Sequence, residues 1–265
     1  MLRSSFLAGL AALAFAALAW VAPALAQNSP AAQRVFDRAR TASGGAAGWN
    51  QIRGVNETGT EAGQPYKRFI DPIRYGLRIE TRTPKGPFIQ GYNGAGEWRI
   101  LASGAETGSI EREVLARVRS EAFFGGFYYF FPSRFDLKSD LVGERKMGGK
   151  PFDVVRVQPA GGEPRELWFD RKTGLLSQMV GTEGASPLRI EYSDWRKTGP
   201  IRLPFHQTAT GGGLAAPRER LVQSVTFEAV DRDLFSLPRK ASQRLEEPET
   251  PHARKPRKPG RRRGN

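Results

Sequence analysis

Repeated strand–turn–strand punctuation constrains this chain more than any other feature, and it is clearest between Glu163 and Tyr192. Glu166, Leu167, Trp168 and Phe169 form a short apolar-rich strand, Asp170-Arg171-Lys172-Thr173-Gly174 carries turn formers at both ends, and Leu175 to Val180 runs back. Asp170 can bond its own backbone two residues on, and Gly174 can take the positive φ that closes a short hairpin loop. Lys172-Thr173-Gly174 also matches one element of the β-lactamase set, but no Ser-x-x-Lys occurs to supply the nucleophile that such an element serves.

The same punctuation recurs on both sides of this hairpin. Before it, strands are expected over Ile52 to Glu61, Tyr66 to Ile70, Tyr75 to Thr83, Pro87 to Tyr92 and Glu97 to Ala102, each separated by Gly, Pro, Asn or Asp clusters. After it come Leu188 to Trp195, Leu203 to Thr210 and Arg218 to Val230, with Leu141 to Met147 and Phe152 to Gln158 ahead of it. Pro30 to Ser43 has Val35, Phe36 and Ala39 at helical spacing. From Ser109 to Gly126 the residues Ile110, Val114, Leu115, Val118 and Ala122 fall on one helical face, with Ser109 as a candidate cap and Gly125-Gly126 as the stop. The expected fold is mainly β with helices: one strongly curved antiparallel sheet, an incomplete barrel, with helices on its concave face.

Eight aromatics crowd the end of that helix and the residues beyond it: Phe123, Phe124, Phe127, Tyr128, Tyr129, Phe130, Phe131 and Phe135. Two readings stay open. The rings either plug one face of the sheet, or Phe123, Phe124, Phe127 and Phe131 line an apolar ligand cavity with Trp98 and Trp168 as wall residues.

The ends differ in kind from the middle. Residues 1–26 pair one early cation, Arg3, with an apolar run from Phe6 to Val21 and small residues at Ala24-Leu25-Ala26, the pattern of a cleaved export signal with cleavage after Ala26. That run is shorter than the roughly 20 residues that span a bilayer comfortably. With no cysteine there is neither a disulfide nor a thiol for lipid attachment, so the expected location is the soluble periplasm. Residues 27–238 read as one domain, and residues 239–265 as a basic, Pro-rich disordered tail holding ten Lys/Arg against three Glu. In that tail Arg254, Lys255, Arg257, Lys258, Arg261, Arg262 and Arg263 make either an electrostatic arm for an anionic membrane surface or a merely solvated segment.

Catalytic and metal constellations are not apparent. The two histidines, His206 and His252, have no partner at ligand spacing, Gly94-Ala95-Gly96 lacks the third glycine of a dinucleotide loop, and no G-x-S-x-G is present. No cofactor, no metal and no enzymatic activity are expected. Export removes the usual nucleic-acid partner despite a formal charge of +14.

LWFDRKTGLL, then EYSDWRKTGPIRLPFHQT and the closing FSLP, together with GYNGAGEWRI, resemble the periplasmic lipoprotein-carrier (LolA/LolB-like) family and its outer-membrane lipoprotein-sorting relatives. The matching positions are Asp170, Thr173, Gly174 and Leu175, then Tyr192, Trp195 and Arg196, then Leu203-Pro204. The resemblance implies an incomplete barrel whose apolar concave side, lidded by helices, takes acyl chains, and hence a carrier or sensor of a lipid or lipoprotein. The alternative is a non-catalytic envelope module working through its basic arm.

The tail composition gives a first test. Deleting Glu246 to Asn265 is expected to change the free energy of unfolding by less than about 0.5 kcal/mol, the range of surface changes that touch no packed feature. Urea denaturation of the full and truncated chains checks this, and a loss of several kcal/mol would show that the tail packs.

Overall fold

The hairpin punctuation resolves into two antiparallel meanders that share one sheet. In the computed structural model, which describes residues 28–183 and 186–238, the first meander comprises β1 (Val55–Glu61), β2 (Gln64–Asp71), β3 (Gly76–Thr83), β4 (Gly86–Asn93), β5 (Glu97–Ile100) and β6 (Glu106–Ser109). The second comprises β7 (Leu137–Met147), β8 (Lys150–Pro159), β9 (Arg165–Asp170), β10 (Leu176–Glu183), β11 (Ser186–Thr198), β12 (Ile201–Gly211) and β13 (Arg218–Thr226). β1 pairs with β13, which fuses the two into a thirteen-stranded sheet running from β6 at one edge to β7 at the other. The sheet does not close into a barrel. The expected leader over residues 1–26, its cleavage point and the basic tail with Arg254, Lys255, Arg257, Lys258, Arg261, Arg262 and Arg263 lie outside the described residues.

The hairpin at Asp170 forms for the reasons its residues suggest. Asp170 Oδ1 accepts from the backbone N–H of Lys172 and Thr173, both at 2.8 Å, and Gly174 sits at φ +76°. Register shifts between Thr58 and Gly59, between Leu141 and Gly143, and between Leu176 and Gln178 insert extra residues into single strands, the device that bends and twists a sheet.

Among the described residues three α-helices complete the fold: α1 (Pro30–Ala42), α2 (Gly45–Trp49) and α3 (Arg112–Gly125). Ser29 caps α1 by accepting from the N–H of Ala32 at 3.2 Å, and α1 buries Ala32, Val35, Phe36 and Ala39 on one face. The edge strands β6 and β7 are consecutive in sequence, so residues 110–136 must cross from one edge of the sheet to the other. They do so over the concave face, where α3 touches β4, β5 and β8. A 3-10 turn at Tyr128–Phe130 then leads the chain down to β7.

Two expectations about this crossing change. Ser109 ends the unexpected strand β6 rather than capping the helix, and α3 starts at Arg112 behind Glu111, whose side chain makes no cap hydrogen bond. Ile110, expected on the buried face, is 86% exposed; burial begins at Val118 and continues through Ser120, Ala122, Phe123 and Phe124. The start of α3 is thus exposed, Leu115 packs half-buried against the core, and full burial begins only at the middle of the helix. Six strands, not five, precede it, because Glu106–Ser109 has no apolar alternation and is held by pairing with β5.

The outer face of β3, β4 and β5 is covered by the end of the described chain. Trp98 lies across from Gly91, donates its indole N–H to the carbonyl of Phe235 at 2.7 Å, and carries the Arg78 guanidinium over its ring. A Cβ at Gly91 would fall 2.1 Å from ring atoms of Trp98. Gly91→Ala is therefore expected to cost about 1–3 kcal/mol, as overpacking does. In a Trp98→Ala background the same change should cost almost nothing, which urea unfolding of the single and double variants measures.

Candidate ligand chamber

The aromatic run fills the concave face beside α1 and α2. Phe123, Tyr128 and Tyr129 have no exposed surface, and Phe124, Phe127, Phe130 and Phe131 are buried with them. Trp49 meets Phe127, Phe130 and Phe131 at centroid distances of 5.6, 5.2 and 6.1 Å, while Phe36 meets Tyr129 at 5.5 Å. Tyr128 stacks on Phe135 at 4.1 Å and its hydroxyl donates to the carbonyl of Asp71 in β2. The turn needs Phe127 at φ +55°, unusual for a residue with a Cβ, and needs Gly126, where a Cβ would sit 2.3 Å from the Tyr128 ring.

The candidate wall residues separate into three groups. Phe123 and Phe131 pack inside this wedge. Phe124 and Phe127 border a crevice of about 30 Å³ beside Trp49, and Phe124 turns its other side to a much larger space. Trp98 and Trp168 do not line the concave side. The register places Trp98 opposite Gly91 and Trp168 opposite Val154, on the outer face, where Trp168 packs against Phe152 at 6.0 Å. Alternation is the physical reason: Leu167 and Phe169 point inward, so Trp168 between them points out.

The larger space is a chamber of about 480 Å³ between the second half of α3 and the concave face. Leu77, Phe88, Phe124, Met179, Leu188 and Ile190 supply its apolar wall. The charged part of the lining has no counterpart among the sequence-based expectations: Arg68, Arg99, Arg117, Arg165, Arg218 and Arg220, accompanied by Glu121. Arg117, Glu121 and Phe124 are spaced four and three residues apart along α3, which puts them on one helical face. Strand parity carried the signal for the others. Arg68 alternates with Tyr66 and Ile70, and Arg165 with Leu167 and Phe169, all inward-facing apolar or aromatic positions.

An ion-pair network supports the cationic wall from behind. Glu57, 4% exposed, accepts from Arg68 at 2.7 Å and from the Tyr66 hydroxyl at 2.6 Å. Burial alone would raise the Glu57 pKa, but Arg68, Arg220 and the Tyr66 hydrogen bond outweigh it and hold the carboxyl below its ordinary range. Burial and the neighbouring Glu57 push the Tyr66 phenol well above its ordinary value, so it stays a donor. Glu61 accepts from Arg220 at 3.1 and 3.2 Å and forms an ion pair with Arg218, whose Nε lies 3.3 Å away, and Arg220 lies over the Tyr66 ring at 5.4 Å. Arg99 pairs with Glu97, and Arg165 lies over the Phe124 ring at 5.0 Å.

His206 sits on the opposite face. Its Nδ1 is 3.3 Å from Ser193 Oγ and its Nε2 is 3.8 Å from Glu219, whose side chain is 60% exposed. The order Ser–His–Glu resembles a nucleophile relay, but a solvated carboxylate beyond hydrogen-bond reach neither fixes the imidazole tautomer nor stabilises its cation. His252 lies outside the described residues.

No protein-family model matches the sequence, and no curated protein matches it. Solved structures do. An outer membrane lipoprotein-sorting protein domain from Vibrio parahaemolyticus superposes with a TM-score of 0.50 at 11% identity, covering 76% of this chain and 95% of that one. A DUF1329 family protein from Desulfovibrio piger gives 0.51 at 12% identity over 80% and 98% of the two chains. A LolA superfamily protein from Nitrosomonas europaea gives 0.48 at 11% identity, covering 77% and 97%. The first two establish the shared fold, the incomplete barrel that the Asp-x-x-Thr-Gly-Leu and Tyr-x-x-Trp-Arg resemblance implied.

The buried pair behind the chamber gives a stability test. Glu57→Gln strands Arg68 without its countercharge and is expected to cost about 3–5 kcal/mol, while joint replacement of Glu57 and Arg68 by Leu and Met should recover most of it. Because the folded pKa of Glu57 lies below its ordinary value of 4.5, its contribution is complete above that pH and is lost as pH falls through the depressed value. Urea unfolding from pH 7 to pH 3 should therefore show a shallower acid slope in Glu57→Gln than in wild type.

Proposed function

We propose that the protein is an exported periplasmic carrier that binds an acyl chain of a lipid or lipoprotein in the chamber beneath α3. The supporting observation is the chamber itself: about 480 Å³ between helix and sheet, with Leu77, Phe88, Phe124, Met179, Leu188 and Ile190 as the apolar part of its lining. That volume falls within the roughly 300–1,000 Å³ of small-molecule sites. Each buried methylene contributes about 0.8 kcal/mol, so a partly inserted chain of eight carbons gains about 6 kcal/mol before association costs. Phe123, Phe127 and Phe131 act in this reading as the wedge that seats α3, and Phe124 as the ring that turns from wedge to wall.

The wider reading follows from sequence and fold together. The leader pattern over residues 1–26 supports export, and a superposed relative carries the name of a lipoprotein-sorting domain. The proposed activity is binding and transfer, with no cofactor. Arg254, Lys255, Arg257, Lys258, Arg261, Arg262 and Arg263 would meet an anionic membrane surface during loading or delivery.

Filling the chamber separates this reading from a packed scaffold. A fluorescent fatty acid is expected to bind wild type saturably, and Ile190→Trp, which enlarges a half-buried wall residue into the space, to weaken it at least tenfold with little loss of stability. Phe127→Ala should act on folding instead, costing about 3–5 kcal/mol in urea as buried rings do. Absence of saturable binding by the wild type would remove the carrier reading.

A further inference from the structure

We infer that the arginine wall of the chamber is a head-group site, so that the ligand is an acyl chain ending in an oxyanion, a carboxylate or a phosphate monoester. This rests on the carrier reading and narrows its substrate class. Six arginines and one glutamate line the same space as the apolar wall. Glu57 ties Arg68, Glu61 ties Arg218 and Arg220, and Glu97 ties Arg99. Leaving Arg165 aside, the other five arginines exceed these three carboxylates and Glu121 by one positive charge among the described residues.

The protein's own acceptors do not saturate the cluster. The Nε–H groups of Arg68 and Arg220 are buried without an acceptor, although Arg68 already donates to Glu57 and Arg220 to Glu61. Arg117, one α3 turn before Glu121, forms no ion pair among the described residues and faces the chamber. A neutral apolar ligand filling this space would strip water from guanidinium groups and return nothing to them, which is costly. An amphiphile resolves the conflict. Its chain runs along Leu77, Met179, Leu188 and Ile190 while its oxyanion takes the planar, two-pronged donors that arginine offers to carboxylate and phosphate. Arg165 marks the seam between the two walls, stacked on Phe124 at 5.0 Å and donating to Met179 Sδ at 3.6 Å.

The experiment is calorimetric titration of the full mature chain with three ligands of equal chain length: decanoate, decyl phosphate and decanol. At least one anion is expected to bind ten or more times tighter than the alcohol, with the ratio shrinking as salt is raised, and the stronger anion identifies carboxylate or phosphate as the head group. The double variant Arg117→Gln/Arg218→Gln, at two positions on the chamber's accessible side, should weaken anion binding about tenfold and leave decanol unchanged. Equal affinity of wild type for alcohol and both anions overturns the head-group inference while the acyl-binding reading stands. A variant that loses decanol as strongly as the anions also overturns it, since the arginines would then only shape the chamber. Failure of all three ligands to bind removes both readings.

Discussion

The structure depends on the crossing that residues 110–136 make over the open face of a sheet that does not close. Thirteen strands in one layer expose a long concave face, and a face that apolar must be covered. Because β6 and β7 are the two edges of the sheet and are joined by a single segment, that segment is forced over the mouth. Its composition then makes sense as a requirement of topology. A lone amphipathic helix would cover one strip; the added rings from Phe123 to Phe135 reach down between α1, α2 and the strands and fill the rest of that side. The left-handed Phe127 and the small Gly126 are local costs of turning a helix into a plug within two residues.

The other side of the concavity is left unfilled, and its chemistry is opposite. Where the rings end at Phe124, inward positions of β2, β5, β9 and β13 carry arginines. Cations at inward strand positions are costly unless paired: Glu57 and Glu61 of the neighbouring β1 pair with Arg68 and Arg220, and Glu97 of β5 itself pairs with Arg99. These pairs fasten β1 to β2 and to β13, the joint where the two meanders meet. One network thus holds the seam of the sheet and presents a charged surface to the chamber.

Most of the strand architecture was legible because it rests on local chemistry. Asp170 and Gly174 make the same turn in the structure that their side chains suggest in the sequence, and Pro30 to Ser43 is helical with Val35, Phe36 and Ala39 buried as spaced. What escaped was non-local. β6 exists through its pairing with β5, and α2 is a short turn packed on β12, so neither leaves a periodic trace. The site was half legible. A dense aromatic run pointed to the concave face, but aromatic character does not say which side of a strand a ring takes. Trp98 and Trp168 were misplaced for that reason, although alternation with Leu167 and Phe169 shows the parity of Trp168. The arginine wall was invisible to a search for apolar cavities, since it is written in charged residues sharing parity with Tyr66, Ile70, Leu167 and Phe169.

In the proposed carrier role, that division of the concavity bears on how a bound chain would be released. A chamber walled only by apolar side chains would collapse when empty or hold its chain too well to deliver it. Here the walls are held by the ring wedge at one end of α3 and by buried ion pairs along the sheet, so little ordering would be needed on entry. The proposed ligand's chain would contribute affinity in proportion to its buried length, and its charged end through contacts that salt and competing anions weaken. A donor or acceptor surface rich in anionic groups can therefore loosen the head group without first extracting the chain. Under the proposed function the mixed wall would be a physical means of exchange, with tight holding in the aqueous compartment and weaker holding beside a charged membrane.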